Sequence, residues 1–151
     1  MYYEEYEVGR VYDLEPVKFT EEEIISFASE WDPRWFHIDS DEAKKSRFGG
    51  LIASGHHTFI KCWSVWVKTG LDHKGLICGM SIDGLKWLKP VYPEDILTGK
   101  ITITGKSKRE GTNKGKVELE LSVKNQRGEE VLIARVTSLV FSEKGGITKS
   151  F

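Results

Sequence analysis

The stretch from Gly55 to Lys68 constrains the fold more than any other. Phe59, Ile60, Cys62, Trp63, Val65, Trp66 and Val67 cover most of a helical circumference instead of forming one stripe. A helix that is apolar nearly all round has to be enclosed by other elements. Gly70 supplies its stop. Beyond Leu76 the period changes to that of strands. Residues 76 to 88, kinked at Gly79 and Gly84, make a strand or two. Ile101 and Ile103 then alternate with Thr102 and Thr104. Val117, Leu119, Leu121 and Val123 alternate with Glu118, Glu120 and Ser122, and Val131 to Phe141 forms a last strand. Helices followed by an antiparallel meander predict an α+β class, with one sheet packed on the enclosed helix.

The chain ahead of that helix carries its own signals. Residues 1 to 19 read as an extended arm with a short strand near Val17 to Phe19. Thr20 and Glu23 form a capping box, and Ile24, Phe27, Ala28 and Trp31 fall on one helical face. Pro33 stops this helix and leaves Asp32 at its end. Asp39 or Ser40 caps a short helix over about Asp41 to Lys45, and Phe48-Gly49-Gly50 turns the chain. Lys89 to Asp95, with Pro90 and Pro93, is a rigid turn.

At 151 residues, 39% hydrophobic and 30% charged, the chain is expected to form one domain over 1–151 with a real core. A net charge of -1 argues against nucleic acid or an anionic membrane as the main partner. Cys62 and Cys78 lie in apolar contexts without metal spacing, and are expected to be buried thiols in a reducing cytoplasm. The polar, acidic start MYYEEYEVGR is not a signal peptide, and no apolar run is long enough to span a membrane. An open sheet edge and five tryptophans call for further burial, so a homodimer is expected.

Asp32 and His37 bracket Pro33-Arg34-Trp35-Phe36, a stiff segment able to hold both side chains toward one cavity. A carboxylate and an imidazole suit the sharing of one water. The duller reading is that Asp32 caps a turn and His37 fills a gap. Ser54 is expected to cap the enclosed helix, leaving the N–H groups of Gly55 to His57 free to face an oxyanion. Gly55 has no side chain to block a carbonyl. His56-His57 lacks the partners of a zinc site, and no nucleophile elbow surrounds Ser54.

FASEWDPRWFHID, FGGLIASGHH and LKWLKPVYPEDIL, in that order, resemble the MaoC-like dehydratases, which are similar to (R)-specific enoyl-CoA hydratases. The resemblance covers roughly residues 8 to 141. It implies a hot-dog fold, an antiparallel sheet around a long central helix, as a homodimer. It further implies that Asp32 and His37 hold the water added syn to a trans-2-enoyl thioester, and that the Gly55 N–H polarises the thioester carbonyl. The substrate is then an acyl-CoA, the product an (R)-3-hydroxyacyl thioester, and no cofactor or metal is needed. Ser54, Trp35, Phe36, His57 and Trp63 are expected to bind substrate, several of them reshaping the acyl pocket. Trp35 stands where a second proline is common, and Pro93-Glu94-Asp95 replaces Pro-Gly-Asp. A thioesterase or a non-catalytic acyl-thioester binding module on the same fold remains open.

Overall fold

The computed structural model describes residues 1–143. A 3-10 turn at Tyr3–Glu5 leads to β1 (Val11–Asp13) and β2 (Val17–Lys18), then α1 (Glu21–Trp31), α2 (Trp35–Ile38), α3 (Ser40–Ala43) and α4 (Gly55–Lys68). Four long strands follow: β3 (Leu76–Trp87), β4 (Ile96–Arg109), β5 (Lys114–Lys124) and β6 (Glu130–Phe141). The antiparallel sheet runs β1-β4-β5-β6-β3, with β2 also paired to β4. The first helix starts on the expected capping box, with both of its hydrogen bonds present. Asp39 caps α3 by accepting from the N–H groups of Asp41 and Glu42.

α4 packs on one side of the sheet. Its Phe59, Cys62 and Trp66 join Leu97, Ile101, Ile103, Leu119 and Leu121 in a common core. Trp66 is fully buried, with its ring tilted against Tyr12. On β4 and β5 the buried residues alternate, which puts every second side chain against the helix.

Three expectations need correction. α4 is not enclosed all round, because Ile60 and Val67 are 54% and 41% exposed. That open face borders β3, an edge strand whose Leu76, Met80 and Ile82 are also exposed. Between them lies a largely apolar cavity of about 550 Å³. Trp31 is 69% exposed, since α1 buries only the Ile24 and Ala28 side of its apolar face. Of the two thiols, Cys62 is buried, and burial pushes it up to about 12, whereas Cys78 is exposed on β3.

The turn after β3 needs a left-handed residue and finds Glu94, at φ 73°, instead of a glycine. Glu94 N–H donates to Phe19 O at 2.6 Å, and its carboxylate pairs with Lys18 at 2.6 Å. The buried Asp95 carboxylate accepts from Tyr92 N–H and the Gln126 amide, fixing the loop that flanks the start of α4.

Candidate active site

Asp32 is the C-cap of α1. Its dihedrals leave the helical region and release its side chain from the helix lattice. The segment expected to be a stiff loop is the single helical turn α2, which places His37 beside Asp32. Asp32 Oδ2 lies 3.5 Å from His37 Nε2. The segment Leu51–Ser54 is clamped between two elements, with Ile52 N–H donating to Phe36 O and Ala53 N–H to Val91 O. That clamp presents the start of α4 to the pair.

Four contacts set the electrostatics, the first being the 3.5 Å approach of Asp32 and His37. Ser54 Oγ donates to Asp32 Oδ2 at 2.8 Å. Arg34 Nε donates to Asp32 Oδ1 at 3.0 Å. Burial raises the Asp32 carboxyl, but the Ser54 hydroxyl, His37 and Arg34 together outweigh it and hold the group below its usual 3.8. The fourth contact fixes a tautomer. His37 Nδ1 lies 2.6 Å from Ile52 O. A carbonyl only accepts, so Nδ1 carries the proton and Nε2 of the neutral ring is an acceptor. Oδ2 and Nε2 are therefore two acceptors facing one another, an arrangement suited to the two hydrogens of one water.

Ser54 precedes α4, as expected, but its hydroxyl does not cap the helix. The side chain is committed to Asp32, and the first bond inside the helix runs from Thr58 N–H to Ser54 O at 3.0 Å. The N–H groups of Gly55, His56 and His57 precede that bond and carry the positive end of the helix dipole. Asp32, Arg34, His37, Gly55, Trp87 and Lys89 all line one cleft of about 520 Å³, whose walls are otherwise mostly apolar.

Phe36 stands behind the pair, edge-on to His37 at 4.5 Å and packed against Phe48. None of Phe36, Ser54, Trp35, His57 and Trp63, the residues expected to bind substrate, lines the cleft. Trp35 is half exposed and packs on Phe36. His57 is buried between Phe19 and Phe27, with Nδ1 unpartnered among the described residues, and burial lowers its proton affinity. The reason is helical geometry: two residues past Gly55 turn the side chain roughly 200° away. Trp63 stacks on Phe59 and lines the other cavity, beside β3. Trp87 also lines the cleft, though it is distant in the chain and no local motif marks it. Its signal was Gly55 itself, since a glycine at a helix start often marks a close neighbour.

A model of the MaoC like domain matches residues 4–126. The chain belongs to the MaoC-like family. It is 30% identical over 137 residues to the uncharacterised protein YdeM of Bacillus subtilis (strain 168), covering 91% of this chain and 96% of that one. A crystal structure of the MaoC-like dehydratase from Rhodospirillum rubrum is 31% identical, with a TM-score of 0.85 over 95% of this chain and 98% of that one. A structure described as a monoamine oxidase regulatory protein, from Archaeoglobus fulgius, is 29% identical, with a TM-score of 0.87 over 94% and 95%. A Mycobacterium tuberculosis protein with a double hot-dog fold shares the fold alone, at 16% identity and a TM-score of 0.73, over 97% of this chain and 46% of that one. This MaoC-like protein therefore has the hot-dog fold.

Proposed function

We propose that the protein interconverts a trans-2-enoyl-CoA and an (R)-3-hydroxyacyl-CoA by syn addition and removal of water. The observation that carries this reading is the 3.5 Å approach of Asp32 Oδ2 and His37 Nε2, in a cleft that also receives the start of α4. In hydration, Asp32 accepts one O–H of the water and His37 Nε2 accepts the other. As the water oxygen bonds to C3, His37 takes a proton and the double-bond electrons move toward the thioester oxygen. Gly55 N–H stabilises the enolate so formed. The imidazolium returns its proton to C2 from the same face, so one water is added and both side chains are restored.

Arg34 and Lys89 put two cations at the cleft lined by this pair, which suits the phosphates of CoA. The open face of α4 and the β3 edge favour a homodimer. The buried Cys62 thiol and a CoA-linked substrate fit a cytoplasmic enzyme of fatty acid metabolism.

The test is incubation with crotonyl-CoA and longer enoyl-CoAs. The expected product is the (R)-3-hydroxyacyl-CoA, with Asp32→Asn and His37→Ala each slowing its formation roughly a thousandfold. Release of free thiol without hydration of the double bond selects a thioesterase instead. Tight binding of the ester with no turnover selects a binding module.

A further inference from the structure

Trp87 is the last residue of β3, where it pairs with Leu132 of β6. The next N–H, of Leu88, donates to Val131 O at 2.9 Å, so the strand end is held in place. From there the indole reaches across the cleft to the start of α4. It lies 5.5 Å, centroid to centroid, from the His56 ring. A Cβ at Gly55 would sit 2.5 Å from Trp87 Nε1 and would overlap the ring. Glycine at 55 is therefore what lets the indole edge rest beside the first residue of the helix.

The indole nitrogen is a donor only. Among the described residues Trp87 Nε1 donates to nothing, and Trp87 is 47% exposed and lines the cleft. A donor held by a strand end next to the free N–H groups of a helix start has the makings of a two-donor hole. Such holes accelerate acyl chemistry because their dipoles are in place before charge develops.

We propose that Trp87 Nε1–H is a second hydrogen-bond donor to the thioester oxygen, paired with Gly55 N–H. The inference rests on the hydratase reading of the cleft. It assigns a catalytic role to a β3 residue and gives Gly55 two tasks, donating its own N–H and admitting the indole. It also couples the site to the edge strand, because a shift of β3 relative to α4 moves one donor away from the other.

Trp87→Phe keeps the ring packing and removes the N–H. With crotonyl-CoA, kcat is expected to fall roughly a hundredfold with little change in KM, the pattern of a contact strongest in the transition state. A second measurement does not depend on turnover. In Asp32→Asn, where hydration is expected to be roughly a thousandfold slower, bound 2,4-hexadienoyl-CoA should absorb to the red of its position in water, because its carbonyl accepts hydrogen bonds. On binding, the indole N–H proton resonance of Trp87 should move downfield. Adding Trp87→Phe should remove much of the red shift. An unmoved indole resonance, or a red shift and kcat unchanged by Trp87→Phe, overturns the assignment. A Trp87-dependent red shift in a protein that hydrates nothing keeps the donor and removes the hydratase reading. Hydration indifferent to Trp87 does the reverse.

Discussion

At the scale of residues, Ser54 and Arg34 act on Asp32 from opposite oxygens. Because the folded carboxyl titrates below 3.8, its contribution to stability is fully present above that pH and is lost as pH falls through the lower folded value. The proposed mechanism needs the carboxylate ionised, so the same sign applies to it: the Asp32 limb of a kcat/KM profile is expected below pH 3.8. Ser54→Ala removes the strongest of the lowering contacts. It should move that limb to higher pH and reduce kcat/KM roughly tenfold, read from a pH-rate profile. A limb that stays in place would mean the hydroxyl does not act through Asp32. The Asp32–His37 approach was legible in the sequence because Pro33 ends one helix and leaves only a turn before the histidine. The partners that tune it were less so. Nothing local says that Arg34 pairs with Asp32, or that the Ser54 hydroxyl, expected to cap α4, reaches back to it.

At the scale of elements, the turn between β3 and β4 contains its own test. Glu94 holds a left-handed backbone that a side chain disfavours by about 1–2 kcal/mol relative to glycine. Its exposed pair with Lys18 offsets little of that. Glu94→Gly should therefore stabilise the protein by ~1 kcal/mol, net of glycine's extra chain entropy. The melting temperature should rise by roughly 2–4 °C. A calorimetric scan showing a lower Tm would place the strain elsewhere. Element boundaries were legible wherever capping or alternation is strong. α4 begins at Gly55 and ends at Lys68 as expected, and β4 to β6 keep the expected alternation. β1, only three residues long, was invisible because it is defined by pairing with Tyr12's neighbours on β4 rather than by its own pattern. Nearness in sequence is not nearness in space for His57 and Trp63, because α4 turns the first away from the cleft and carries the second roughly 12 Å along its axis.

At the scale of the whole molecule, one chain does not cover the whole apolar circumference of α4. In this chain half of it faces the cavity beside β3. A long edge strand with Met80 and Ile82 exposed is a surface that proteins normally cover. Pairing of β3 with a second copy would satisfy both the strand edge and Ile60 and Val67 on α4. Ile82→Lys should convert a dimer into a monomer by sedimentation, without unfolding it. A monomeric native protein would contradict the proposed assembly. The consequence reaches the site, since Trp87 ends this same strand and a bare β3 would hold its indole less firmly.

The most direct test of the central claim is a double-mutant cycle on crotonyl-CoA hydration. The claim is that Asp32 and His37 act as a unit on one water. If so, Asp32→Asn combined with His37→Ala is no slower than the slower single variant, since either loss already disables the pair. Losses that multiply, or a native protein that forms no (R)-3-hydroxybutyryl-CoA, would contradict it.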